Sequence, residues 1–147
     1  MGHDTITVID EHAVLACSTA EANIHLSGPA AVAAWFGARC RPDRTTVDIG
    51  DTTLGFRHQK LEWHPDQQAV TVDGTVNGLH YHAHLTLRRV IRPGVDGDLH
   101  EATEVWAHVE LTPARSAAPT ARTIRAVLRR GLDHLRRELD ASPYATR

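Results

Sequence analysis

The sequence holds only two cysteines in 147 residues, and Cys17 and Cys40 fit no metal-binding or redox spacing. That shortage excludes a disulfide scaffold and favours reduced thiols. With no leader pattern at the N-terminus, the expectation is a cytoplasmic protein. Long apolar runs are also missing, so no segment is expected to span a membrane. An excess of one charge is lacking too. Lys and Arg number 16 against 18 Asp and Glu, a net charge of −2, which gives no electrostatic case for nucleic acid or an anionic membrane. No phosphate-cradling glycine loop, H-E-x-x-H, G-x-S-x-G or paired C-x-x-C occurs, and no cofactor is expected. The arginines near the C-terminus read as a solvated helix face.

What is present is patterned. The length and an apolar fraction of 41% suit one globular domain over residues 1–147. "TITVIDEHAVLACS" is rich in β-branched residues and predicts a first strand. Ser18 with Glu21 three residues on forms a capping signature, which predicts a short helix from Thr19. A second short helix is expected in "SGPAAVAAWFG", with Ser27 or Gly28 as its cap, Pro29 in its first turn and Gly37 at its end. From Thr45 to about Pro113 the period changes to two. Turns are expected at Gly50-Asp51, at His64 to Gln67, and at Asn77-Gly78, where both residues tolerate the positive φ of a type I′ hairpin. About six consecutive antiparallel strands follow, with "TTLGFRH" and "KLEW" read as separate segments. After the loop-like "TPARSAAPT", Ile124, Val127, Leu128, Gly131, Leu132, Leu135 and Leu139 form the stripe of a long amphipathic helix.

Strand, two short helices, a run of antiparallel strands and a long closing helix: this order resembles the START/polyketide cyclase-like (SRPBCC) superfamily. "PAAVAAWFG" and "LRRGLDHLRRELD" look like that family's second short helix and closing helix. The resemblance implies an α+β helix-grip fold, in which a curved antiparallel sheet of about seven strands wraps the C-terminal helix around an apolar cavity. It also implies three functional classes: a carrier or sensor of a small, largely hydrophobic lipid-like or aromatic molecule, a polyketide cyclase or aromatase, and a co-chaperone-like activator of a heat-shock ATPase. They are ranked here in that order.

A two-residue turn at Asn77-Gly78 fixes the faces by arithmetic. Val76, Val72 and Val70 then oppose Leu79, Ala83 and Leu85, while Thr75, Asp73 and Thr71 oppose His80, His82 and His84. The histidine row therefore turns to the outer face, where His108 joins it. Those four imidazoles are candidate metal ligands, with Asp73 available to orient one of them. The ordinary alternative, a polar face that happens to favour histidine, is preferred, because an open sheet has no walls to exclude water. Trp106 on the same face is a candidate anchor for a homodimer.

On the inner face, alternation from Leu54 and Phe56 places His58 in the cavity, with Tyr81, Glu101 and Thr103 at other inward positions. Trp35 and Phe36 are expected at the mouth, and Leu128 and Gly131 on the helix side. His58, Tyr81 and Glu101 are the candidate catalytic groups, as general base and oxyanion partners. Taken singly, each also has a bland reading as a hydrogen-bonded core or rim residue.

Overall fold

The structure is a computed structural model that describes residues 5–26, 31, 34–41 and 43–140. Its elements are β1 (Thr7–Leu15), α1 (Thr19–Leu26), β2 (Ala38–Cys40), β3 (Thr45–Ile49), β4 (Thr52–His64), β5 (Ala69–Val76), β6 (Leu79–Pro93), β7 (Leu99–Thr112) and α2 (Ala118–Asp140). The strands form one antiparallel sheet in the order β1-β7-β6-β5-β4-β3-β2. Every neighbour from β2 to β7 is a sequential hairpin partner, and β1 closes the far edge against β7. The sheet curls into a half-barrel that holds α2, and the arrangement is an α+β helix-grip.

Local chemistry explains most of these boundaries. α1 starts at Thr19, and the Ser18 hydroxyl accepts the Glu21 amide at 3.1 Å, satisfying one of the orphan donors of a first turn. In the expected second short helix, Ala31, Ala34 and Trp35 are helical. Its expected capping positions Ser27, Gly28 and Pro29 lie outside the described residues. Gly37 follows with φ of +69°, a helix-ending conformation that suits glycine. α2 begins at Ala118, inside the stretch read as a loop, because Pro119 falls in the first turn, where its missing N–H costs nothing. Its apolar stripe is buried from Ile124 to Leu139.

The β5–β6 hairpin follows the sequence arithmetic residue by residue, from Val76 opposite Leu79 to Val70 opposite Leu85. Asn77 and Gly78 have φ of +49° and +82°, as a type I′ turn demands. The Asn77 side chain also accepts the Gly55 amide at 2.8 Å and so ties the turn to β4.

β4 departs from expectation. "TTLGFRH" and "KLEW" are one 13-residue strand, interrupted by a β-bulge rather than a turn. Arg57 pairs with Thr75 and Lys60 with Asp73, so His58 and Gln59 together oppose Gly74 alone. His58 takes the positive φ, +55°. A Cβ on Gly74 would lie 2.8 Å from the Arg57 carbonyl oxygen and 3.2 Å from Gln59 Cα, so the bulge needs a glycine opposite it. The extra residue slips the alternation by one position.

Candidate functional site: a cavity between sheet and helix

Between the sheet and α2 lies a cavity of about 480 Å³, within the range that holds a drug-sized molecule. Its walls are apolar: Leu54, Phe56, Leu61 and Val72 from β4 and β5, Ala83 and Val109 from β6 and β7, and Ile124, Val127 and Leu128 from α2. Phe36, Ala38, Cys40 and Thr45 line its β2–β3 side. The wall pattern follows from strand alternation on one face and helix periodicity on the other.

Two polar side chains meet in this apolar setting. Tyr81, 3% exposed, accepts a hydrogen bond from the Gln59 amide at 2.6 Å. Burial pushes the Tyr81 phenol up to about 12, with Asp73 adding to the rise, while the Gln59 bond pulls it back only in part. Tyr81 therefore keeps its proton across the physiological range. A second, weaker polar contact runs from the Thr45 hydroxyl to Cys40 Sγ at 3.8 Å. None of the described lining residues carries a carboxylate, imidazole, ammonium or guanidinium.

The candidate residues divide sharply. Phe36, Phe56, Tyr81 and Leu128 line the cavity. Gly131 is buried just behind, where its lack of a Cβ admits the Phe36 ring. Trp35 sits outside the lining, its indole N–H donating to the His25 carbonyl at 2.7 Å and its ring between those of His25 and His134. It clamps the helical segment before Gly37 to α1 and α2.

His58 is exposed on the outer side of the bulge, because the slipped alternation gives its inward place to Gln59. Glu101 is exposed as well, 3.7 Å from Arg89 and within reach of the Thr19 amide. Its ladder partner Ile91 stands ten residues along β6 from Tyr81, which is roughly 33 Å of strand. Thr103 is fully buried, but its hydroxyl donates to the Cys17 carbonyl at 3.0 Å and fastens the entry to α1. The expected catalytic trio of His58, Tyr81 and Glu101 is thus not assembled.

Gln59 is the site residue that sequence reasoning missed. A signal existed: the apolar alternation runs on even numbers at Leu54 and Phe56 and on odd numbers at Leu61 and Trp63. Only a bulge between them reconciles the two phases.

No protein-family model matches this chain, and no curated protein matches it. Solved structures do. The Zhui aromatase/cyclase from a Streptomyces species superposes with a TM-score of 0.65 at 13% identity, over 97% of this chain and 100% of that one. The chain shares the helix-grip fold of that structure. A truncated norcoclaurine synthase from Thalictrum flavum shares the helix-grip at a TM-score of 0.60 and 12% identity, covering 94% of this chain and 96% of that one. So does the XoxI protein from Bacillus cereus, at 0.61 and 13%, covering 91% and 96%.

The convex face of this helix-grip sheet carries His80, His82, His84 and His108, as the hairpin arithmetic requires. His82 Nδ1 contacts Asp73 at 2.7 Å, and His108 sits between Asp10 at 2.6 Å and Glu110 at 3.1 Å. His84 faces His108 across the ladder, with ring centroids 5.3 Å apart. Among the described residues no group of three His, Cys, Asp or Glu side chains is arranged to hold a metal ion. Trp106 on this face is 44% exposed and donates its indole N–H to Asp10. No helix of the described residues is long and apolar enough to cross a membrane.

Proposed function

We propose that this protein binds a small, largely apolar molecule between its sheet and α2 and releases it unchanged. The observation that carries this reading is the composition of the cavity wall. It offers one polar pair, the buried Tyr81 hydroxyl and the exposed amide of Gln59, and among its described residues no carboxylate or imidazole to serve as a general base, the Cys40 thiol being its one other group with an acidic proton. Cyclisation of a ketide needs a general base near the reacting carbon, and the residues expected to supply it, His58 and Glu101, stand outside the wall. The aromatase/cyclase likeness therefore supports the fold and the cavity, and the chemistry of the wall favours a carrier or sensor over a catalyst.

The test is saturation binding of a neutral solvatochromic dye such as Nile red. Wild type is expected to bind one dye per chain with a blue-shifted emission. Ala83→Phe, which puts a ring into the cavity, is expected to weaken binding at least about tenfold. Equal binding by both proteins would move the ligand site elsewhere.

Self-association through the convex face is the second part of the proposal, resting on the exposure of Trp106 beside the imidazole row. Sedimentation velocity is expected to show a dimer for wild type and a monomer for Trp106→Ala. A monomer for both would remove this part.

A further inference from the structure

The polar pair in the cavity constrains what can enter, beyond the preference for apolar bodies. Gln59 spends one N–H on the Tyr81 oxygen. Three hydrogen-bonding groups are left for a ligand: the Tyr81 O–H, the second Gln59 N–H and the Gln59 carbonyl oxygen. They come from two neighbouring side chains, two donors and one acceptor, in a wall whose other polar groups are the Thr45 hydroxyl and the Cys40 thiol, already in contact with each other. A ligand atom that lost water on entry and met none of them would pay for an unmade hydrogen bond.

Charge is constrained just as firmly. A carboxylate or ammonium carried past the exposed Gln59 amide to the buried Tyr81 hydroxyl would leave water without an opposite charge among the described lining residues. The guanidinium of Arg130 stands beside Phe36, but it already donates to the carbonyl of Asp48 at 3.1 Å and to that of Phe36 at 3.4 Å. It braces β3 and the segment before Gly37 from outside rather than pointing a free cation inward.

We infer that the ligand is an uncharged, apolar molecule bearing a carbonyl beside an N–H or O–H, as in a primary amide, a lactam or a hydroxy-ketone, and that Gln59 is the residue that selects it. The carbonyl accepts from Tyr81 while the neighbouring N–H or O–H donates to Gln59 Oε1. The bulge at His58-Gln59 is the structural device behind this choice. An unbulged strand would have turned the imidazole of His58 inward and admitted acidic ligands. This inference rests on the binding function proposed above.

The experiment is displacement of Nile red from the full chain at pH 8 by four molecules of one shape: 2-naphthamide, 2-naphthoate, 2-naphthylmethylammonium and 2-methylnaphthalene. In wild type the amide is expected to displace dye at least about tenfold better than the two ions and better than the hydrocarbon. The quantity read in the variants is the ratio of amide to hydrocarbon within each protein, so a general change in affinity cancels. Gln59→Leu is expected to collapse that ratio towards one. Gln59→Glu is expected to make the ammonium the better ligand of the two ions, and it serves if the leucine variant does not fold. Dye binding with naphthoate as good as the amide, or an unchanged ratio in a folded Gln59 variant, overturns the inference and leaves the binding function standing. No dye binding by wild type overturns both.

Discussion

Gly131 of α2 lies against the ring of Phe36: a Cβ at Gly131 would stand 2.3 Å from Phe36 Cδ1, closer than any real contact. The helix therefore keeps its one glycine where an aromatic side chain from the segment before Gly37 must lie against it.

Gly131→Ala sets two effects against each other. Alanine is better than glycine inside a helix by about 1 kcal/mol, whereas forcing a methyl into packed space costs about 1–3 kcal/mol. Phe36 is a bulky ring held by its neighbours, so the clash is expected to win and the denaturation midpoint to fall. Adding Phe36→Leu should recover part of the loss, a non-additivity that a double-mutant cycle in urea reads directly. Additive losses would mean that the two residues are not coupled.

The Tyr81–Gln59 bond is expected to contribute about 0.5–1.5 kcal/mol, since the exposed Gln59 amide can turn to water when Tyr81→Phe removes its acceptor. For a chain of this size that is a fall of roughly 1–6 °C in Tm by thermal denaturation. The same burial predicts a pH effect. A phenol raised to about 12 in the folded state, against about 10 unfolded, adds stability that is full below pH 10 and is lost as pH rises towards 12. The difference in phenolate absorbance between wild type and Tyr81→Phe should accordingly stay near zero at pH 10.

The paired imidazoles of the convex face titrate in opposite directions. Burial, with His108 and His82 nearby, holds His84 below the ordinary histidine value, and Glu110 and Asp10 offset this only in part. Burial also disfavours the charged form of His108, yet its hydrogen bonds to Asp10 and Glu110 prevail and raise it. His84 therefore contributes stability that is full above about pH 6.5 and declines as pH falls through its lowered value. His108 contributes stability that is full below about pH 6.5 and is lost as pH rises through its raised value. Urea midpoints at pH 7.5, 6.5 and 5.5 are expected to drop less on acidification in His84→Thr than in wild type, and more in His108→Gln. Parallel curves for all three proteins would dissolve the coupling.

Gly74→Ala tests the bulge. The added methyl meets the Arg57 carbonyl oxygen at 2.8 Å and Tyr81 Cε1 at 3.0 Å. A stability loss of about 1–3 kcal/mol is expected from the backbone contact. Because the methyl also presses on the Tyr81 ring, Nile red binding should weaken alongside it. A stable variant with wild-type binding would show that β4 can pair without its bulge.

The sequence by itself determined the elements whose causes are local. Asn77-Gly78 selects a two-residue turn by backbone chemistry, and from that one turn the pairing of β5 with β6 and the outward placing of His80, His82 and His84 follow without further information. The stripe from Ile124 to Leu139 determined the buried face of α2 in the same way, and the order of elements was enough to suggest the helix-grip. Tertiary structure decided where the phase of β4 slips. A bulge is two residues facing one on another strand, so it depends on Gly74 across the ladder as much as on His58 and Gln59. That single slip exchanges an imidazole for an amide in the cavity wall. It decides which chemistry the site can offer: residues 52–64 announce a slip by their change of phase, but Gly74 on the partner strand fixes that it falls at His58 and Gln59.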